Sequence, residues 1–158
     1  MEMKGEYVIP ASRETVWEAL NDPEVLKECI TGCKSLDKES DTEMSAVVQA
    51  KVGPVKATFK GNVTLSNLNP PSSYTISGEG KGGIAGFAKG GADVSLEEVE
   101  GGTRLSYEVT AQIGGKLAQL GSRLVDSTAK KYADDFFSCL SKKLGGGEPE
   151  GGTEASSS

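Results

Sequence analysis

Two alternating runs joined at Gly53-Pro54 constrain this chain more than any other feature. Met44, Ala46, Val48, Ala50 and Val52 recur at every second position. Beyond the Gly-Pro break the phase resumes with Val55, Ala57, Phe59, Gly61, Val63 and Leu65, opposed by Lys56, Thr58, Lys60, Asn62 and Thr64. Strand side chains point alternately to opposite faces, so period two over this length predicts an antiparallel sheet with one wet face. Asn69-Pro70-Pro71-Ser72-Ser73 ends the run. Tyr74, Ile76, Gly78 and Gly80 open another strand, and Ala88, Gly90, Ala92, Val94 and Leu96 fit the next. Glu100-Gly101-Gly102 makes a turn, and Leu105, Tyr107, Val109, Ala111 and Ile113 form the inner face of the last strand.

The flanks are helical. Residues 3–9 alternate as a strand; Ser12 then caps a helix with Val16, Trp17 and Leu20 on its apolar face. Asn21-Asp22-Pro23 ends that helix and starts a second, buried through Val25, Leu26, Cys29 and Ile30. A short strand at 33–37 leads to a polar hairpin at 39–42. After Gly114-Gly115 the spacing predicts one helix over 116–143, with Leu117, Leu120, Leu124, Thr128, Tyr132, Phe136 and Leu140 on one side. At ~1.5 Å per residue such a helix runs roughly 40 Å, enough to cross the sheet. Gly145-Gly146-Gly147 stops it. Residues 145–158 read as a disordered acidic Gly/Ser tail, leaving 2–144 as the domain. The class is α+β: a curved antiparallel sheet of about seven strands wrapped on one long C-terminal helix, with two short helices after strand 1.

Composition narrows the chemistry. His is absent, which removes the commonest general base, proton shuttle and metal ligand. With 17 Lys and Arg against 23 Asp and Glu, the chain is a poor nucleic-acid binder. No apolar run is long enough to span a bilayer. The first residues enter strand alternation directly, as expected without a secretory leader. Three cysteines, Cys29, Cys33 and Cys139, then read as reduced cytosolic thiols that behave as small hydrophobes; no metal site is expected.

The inner-face positions are unusually small: Ala46, Ala50, Ala57, Gly61, Gly78, Gly80, Ala88, Gly90, Ala92 and Ala111. A curved sheet lined by small residues and spanned by one helix leaves apolar space, the usual form of a small-molecule site. The expected lining is Val48, Ala57, Phe59, Gly61, Ile76, Ala88, Ala92, Val94, Tyr107, Ala111, Leu120, Leu124, Thr128 and Tyr132. In the competing reading Phe59, Tyr107, Tyr132 and Phe136 fill that space. No catalytic set is expected.

Specific residues carry a resemblance. Val8-Ile9-Pro10-Ala11 with Val16-Trp17-Glu18-Ala19-Leu20-Asn21-Asp22-Pro23 resembles the opening of the START/Bet v 1-like (SRPBCC) helix-grip superfamily. Ile30-Thr31-Gly32-Cys33, Val52-Gly53-Pro54-Val55-Lys56-Ala57 and Phe59-Lys60-Gly61 are similar to one family within it, that of the CoxG subunit of carbon monoxide dehydrogenase. So are Gly86, Ala88, Gly90, Ala92, Val94, Leu96 and the segment 114–121. The resemblance covers about residues 2–144. It implies a non-enzymatic accessory protein of a molybdenum hydroxylase of the carbon monoxide dehydrogenase type, cytoplasmic or peripheral at the inner face of the cytoplasmic membrane. Joined to the small inner face, it implies a lipophilic ligand, a prenylated quinone such as menaquinone, and no covalent cofactor. The alternatives are a protein–protein recruitment factor with a filled interior and, less favoured, a hydrolase or cyclase. The acidic tail, with Glu148, Glu150 and Glu154 and no basic residue after Lys143, is repelled by anionic lipid.

Other motifs read as structural. Gly78-Glu79-Gly80-Lys81-Gly82-Gly83 lies between strands and lacks the helix start of a phosphate loop. Trp17 is expected to pin the short helices to the sheet. Lys51, Lys56 and Lys60 form a solvated face or a docking patch for an acidic partner. Asp134 and Asp135 are expected to be exposed.

Overall fold

A computed structural model describes residues 1–146 and 150–156. Strand β1 (Glu2–Ile9) is followed by α1 (Arg13–Leu20) and α2 (Pro23–Cys29). Six strands come next: β2 (Cys33–Lys38), β3 (Glu43–Val52), β4 (Val55–Asn69), β5 (Ser73–Lys81), β6 (Phe87–Val99) and β7 (Gly102–Gly114). A 3-10 turn (Gly83–Ala85) lies between β5 and β6. Then come α3 (Lys116–Gln119), α4 (Ser122–Lys143) and β8 (Glu150–Ser156). The sheet order is β2-β3-β4-β5-β6-β7-β1-β8, every pair antiparallel. This is the helix-grip fold: a curved sheet closed over a C-terminal helix.

Local chemistry sets the short helices. The Ser12 hydroxyl accepts a hydrogen bond from the Thr15 N–H at 3.2 Å, and the Asp22 carboxylate accepts from the Glu24 N–H at 3.0 Å. Both satisfy helix donors that have no internal partner. The Trp17 ring meets Tyr74 of β5 edge-on, with centroids 5.1 Å apart, so it ties α1 to the sheet as expected.

Three expectations are overturned. The long helix is broken: α3 and α4 are separated at Gly121, whose φ of +90° interrupts the spiral. The apolar repeat runs through the break because Leu117, Leu120 and Leu124 stay half-buried or buried on either side. Next, the supposed tail supplies an eighth strand. Residues 150–156 pair with β1 from Glu2↔Ser156 to Val8↔Glu150. Without it β1 would present an unpaired edge, and strand addition uses backbone groups that composition does not report. Residues 147–149 and 157–158 of that tail lie outside the described residues. Finally, Cys29 and Cys139 form a disulfide with Cα atoms 5.4 Å apart, joining α2 to α4; Cys33 alone is free. Separated by 110 residues, the pair is brought together only by the fold.

The core lies under α1, α2 and the C-terminal half of α4. Ile9, Val16, Leu105 and Leu140 are fully enclosed there. Phe137 stacks on Tyr7 and Tyr107, with centroids at 4.4 and 5.4 Å. Gly5 makes room for Tyr107: a Cβ at that position would lie 2.5 Å from a ring carbon.

Candidate functional site

Burial changes along the groove between sheet and helix. Near α1 and α2 the inner-phase residues Leu65, Tyr74, Val94, Leu96, Leu105 and Tyr107 are buried in one cluster. Farther along the same strands, Val48, Ala57, Phe59, Gly61, Ala88, Ala92 and Ala111 are only half-buried and stand outside that cluster. Ile76 sits at the boundary, half-buried and packed against it.

Strand register explains the gradient. Ala46, Gly61, Gly80 and Ala88 are neighbours in one row across β3 to β6. Val63, Gly78, Gly90 and Ala111 form the next row, from β4 to β7. These side chains extend little from the sheet, so helix and floor cannot meet as they do around Phe137. Leu124, Thr128 and Tyr132 of α4 are all half-buried, as is Leu120 just ahead of them.

The helix is nevertheless clamped. The Tyr132 hydroxyl accepts from the Lys51 N–H at 3.2 Å. Leu124 lies against the β3–β4 turn, where a Cβ on Gly53 would come 2.6 Å from its methyl carbon. The Phe59 ring packs under Gly82, 2.5 Å from where a Cβ would be. The turn at Gly53, the loop 82–86 and α3 therefore border the half-buried end.

Of the fourteen residues expected to line a hollow, Val94 and Tyr107 belong to the packed core and Ile76 borders it. The other eleven are half-buried. Of two clefts of about 1120 and 940 Å³, the first touches Val94 and Tyr107 of the set and the second touches Gly61, beside Ala46, Gly78 and Gly90 of the small-residue rows. Their margins carry Lys4, Glu6, Asp93 and Glu108, or Lys60, Glu79, Lys81 and Lys89, which suits water better than hydrocarbon.

Titration shifts are few. Burial pushes the Tyr74 phenol well up, and burial raises the Cys33 thiol against the opposing charge of Lys27. Among the described residues no group of three His, Cys, Asp or Glu is placed to hold a metal ion. No helix among them is long and apolar enough to cross a membrane.

Sequence reasoning missed two things here. Asp134 is half-buried, not exposed: it accepts from the Tyr7 hydroxyl at 2.5 Å. Asp135 is half-buried too and pairs with Lys131 at 2.8 Å. Asp126 was not singled out at all, yet it is only 8% exposed. Its spacing from Ala129, Ala133, Phe137 and Leu140 puts it on the sheet-facing stripe of α4, a signal present in the sequence. At the surface Ile84 is 85% exposed, on the loop that borders the half-buried end. Lysines face each other nearby, Lys51↔Lys56 and Lys60↔Lys81.

Comparison with known proteins agrees with this architecture. Residues 5–145 match the family described as the CoxG subunit of carbon monoxide dehydrogenase. A conserved protein from Geobacillus kaustophilus is 30% identical, with a TM-score of 0.86 over 92% of this chain and 95% of that one. Ara h 8.0201 is 14% identical, with a TM-score of 0.64 over 91% of this chain and 97% of its own. The ZhuI aromatase/cyclase from Streptomyces sp. R1128 is 9% identical, with a TM-score of 0.64 over 92% of this chain and 93% of its own. The last two share the fold alone. No curated protein matches the chain.

Proposed function

The chain belongs to the CoxG family of carbon monoxide dehydrogenase subunits, and from that premise we propose a carrier and adaptor function. It is a non-enzymatic accessory protein of a molybdenum carbon monoxide dehydrogenase-type enzyme. It binds a lipophilic ligand, a prenylated quinone such as menaquinone, in the groove under the N-terminal half of α4. By doing so it links the enzyme to the respiratory membrane.

The observation that carries the reading is the half-buried floor of small residues, Ala57, Gly61, Ala88, Ala92 and Ala111, outside the packed core. An apolar surface left half-wet gains from covering. Each buried methylene contributes ~0.8 kcal/mol, so the ten carbons of two prenyl units contribute roughly 8 kcal/mol before the costs of association, and a longer tail offsets those costs.

Membrane contact has separate support. Like charges directly across a sheet are destabilising, and Lys51↔Lys56 and Lys60↔Lys81 are two such pairs; Lys81, three residues before the exposed Ile84, is relieved by Glu79 at 3.3 Å. On a chain of net charge −6, a local basic patch with an apolar tip suits an anionic lipid surface.

Native mass spectrometry of the protein purified from a membrane-containing lysate tests the reading. A retained isoprenoid is expected. A bare chain that still binds the dehydrogenase would replace it with recruitment by protein contacts alone.

A further inference from the structure

The outer face of the sheet carries two adjacent rows of side chains that line the cleft of about 940 Å³. One row crosses five strands as Asp37, Ser45, Asn62, Glu79 and Lys89, each directly opposite the next. The other, two residues along β4 and β5, sets Lys60 opposite Lys81. All these positions are out of phase with the buried Met44, Leu65, Tyr74 and Val94 of the same strands, so they stand on the wet face.

The charges of this cleft are unevenly matched. Elsewhere on the surface Arg104 meets Glu6 at 3.0 Å and Lys131 meets Asp135 at 2.8 Å. Here Lys81 meets Glu79 at 3.3 Å, and Lys60 and Lys89 form no ion pair among the described residues. Opposed lysines repel, and an anion set between them removes that cost. Lys60 and Lys81 are direct neighbours and Lys89 is the diagonal neighbour of Lys81, at Cβ spacings of about 5 and 7–8 Å. Flexible four-carbon stems let the three ammonium groups meet one phosphate. Asp37 and Glu79 turn the same cleft against a bare anion. Their carboxylates accept hydrogen bonds and donate none, whereas Ser45 and Asn62, set between them in the row, do both.

We propose that this cleft binds a phosphorylated polyol, the headgroup chemistry of an inositol-type phospholipid. This deepens the membrane contact proposed above and rests on it. The phosphate lies at the end held by Lys60, Lys81 and Lys89. The polyol lies along the row towards Asp37, where its hydroxyls donate to the carboxylates and exchange bonds with Ser45 and Asn62. A phosphodiester without hydroxyls leaves the carboxylates facing an anion with no donor between them. A site built to pair a hydroxyl rejects the analogue that lacks it. The cleft also reaches the apolar tip: Ile84 follows Lys81 by three residues, at most about 11 Å of chain. A headgroup held by Lys81 therefore sits beside the residue that enters the lipid surface.

The test titrates the full chain with phosphatidylcholine vesicles that carry either phosphatidylinositol or phosphatidylmethanol, a lipid of the same phosphodiester charge with no headgroup donor. Binding is read by co-sedimentation. In parallel, soluble glycerophosphoinositol and dimethyl phosphate are titrated calorimetrically. The inositol member of each pair should bind about tenfold tighter or better. Lys60→Gln should weaken both lipids about fivefold. Asn62→Ala should weaken the inositol member alone. Lys131→Gln, the same charge change on α4, should leave binding unchanged. Melting temperatures should hold in all three variants, since each position is exposed. Equal binding of the two lipids, with Asn62→Ala silent, overturns headgroup recognition and leaves the membrane contact standing. Binding of glycerophosphoinositol but of neither vesicle upholds the site and overturns its lipid source together with the membrane contact. Failure of vesicles and soluble probes alike overturns both readings. If a variant does not fold, the preference of the wild type decides alone.

Discussion

At Tyr107 the row across the sheet reads Tyr74, Val94, Tyr107, and every member is buried. Four residues along β7, at Ala111, the row reads Gly78, Gly90, Ala111, and every member is half-buried. The two rows share strands, register and twist, and they lie only ~13 Å apart at strand spacing. Side-chain volume alone separates them. Large aromatics reach the helix and meet Phe137; small residues stop short of it. One sheet thus provides a core at one end and room for a ligand at the other.

The sharpest way to break this comparison is to cut into the closed end. Leu105→Ala should cost about 2–5 kcal/mol, read by urea unfolding, because Leu105 is fully enclosed. A loss well under 1 kcal/mol would mean that the closed end is no better packed than the open one.

The Cys29–Cys139 bond belongs to the same end, where it holds α2 on α4. Cys139→Ser should lose about 2–4 kcal/mol under oxidising conditions, since the bond closes a long loop in the unfolded chain. With reductant present, wild type and variant should unfold alike. If they differ to the same extent with and without reductant, the crosslink is not what stabilises that end.

A smaller effect comes from Tyr74. Burial raises its phenol above the ordinary value near 10. The neutral form is thus favoured in the folded state, and the stability it lends is complete below the unfolded value. That stability falls as pH rises above about 10 towards the folded value. Tyr74→Phe should flatten this alkaline decline in unfolding experiments between pH 9 and 12; an unchanged slope would place the phenol in water.

The smallest effects are expected at the open end. Ala92→Phe and Ala111→Phe should change stability by less than about 1 kcal/mol, where overpacking a closed core costs about 1–3 kcal/mol. They should also lower affinity for a prenylated quinone, followed by quenching of Trp17, the single tryptophan. Severe destabilisation by both would equate the two ends and remove the room proposed for a ligand.

Much of this fold was legible before any coordinates. Period-two alternation in 55–65 named the faces correctly: Lys56, Thr58, Lys60, Asn62 and Thr64 are exposed, and their neighbours are not, whereas positions 45–50 of β3 are all half-buried. Ser12 and Asp22 marked the helix starts because capping is a local hydrogen bond between near neighbours. The small residues at 57, 61, 88, 92 and 111 were also visible, since volume is a property of the residue itself. Their separation from the core was not. Val94 and Tyr107 have the same inward phase as Ala92 and Ala111, and phase says nothing about position along the groove.

What the sequence by itself determined is what neighbouring residues settle among themselves: strand faces, turns, caps and the apolar side of each helix. Only the tertiary structure decided the rest. It brought Cys29 to Cys139 across 110 residues. It paired a glycine-rich C-terminal segment with β1 through backbone groups that every residue carries, and so gave the sheet its eighth strand. It also set Asp126, by whole-residue exposure, among the few buried polar or charged residues. Each of these depends on which distant segments share a surface, and local chemistry holds no record of that choice.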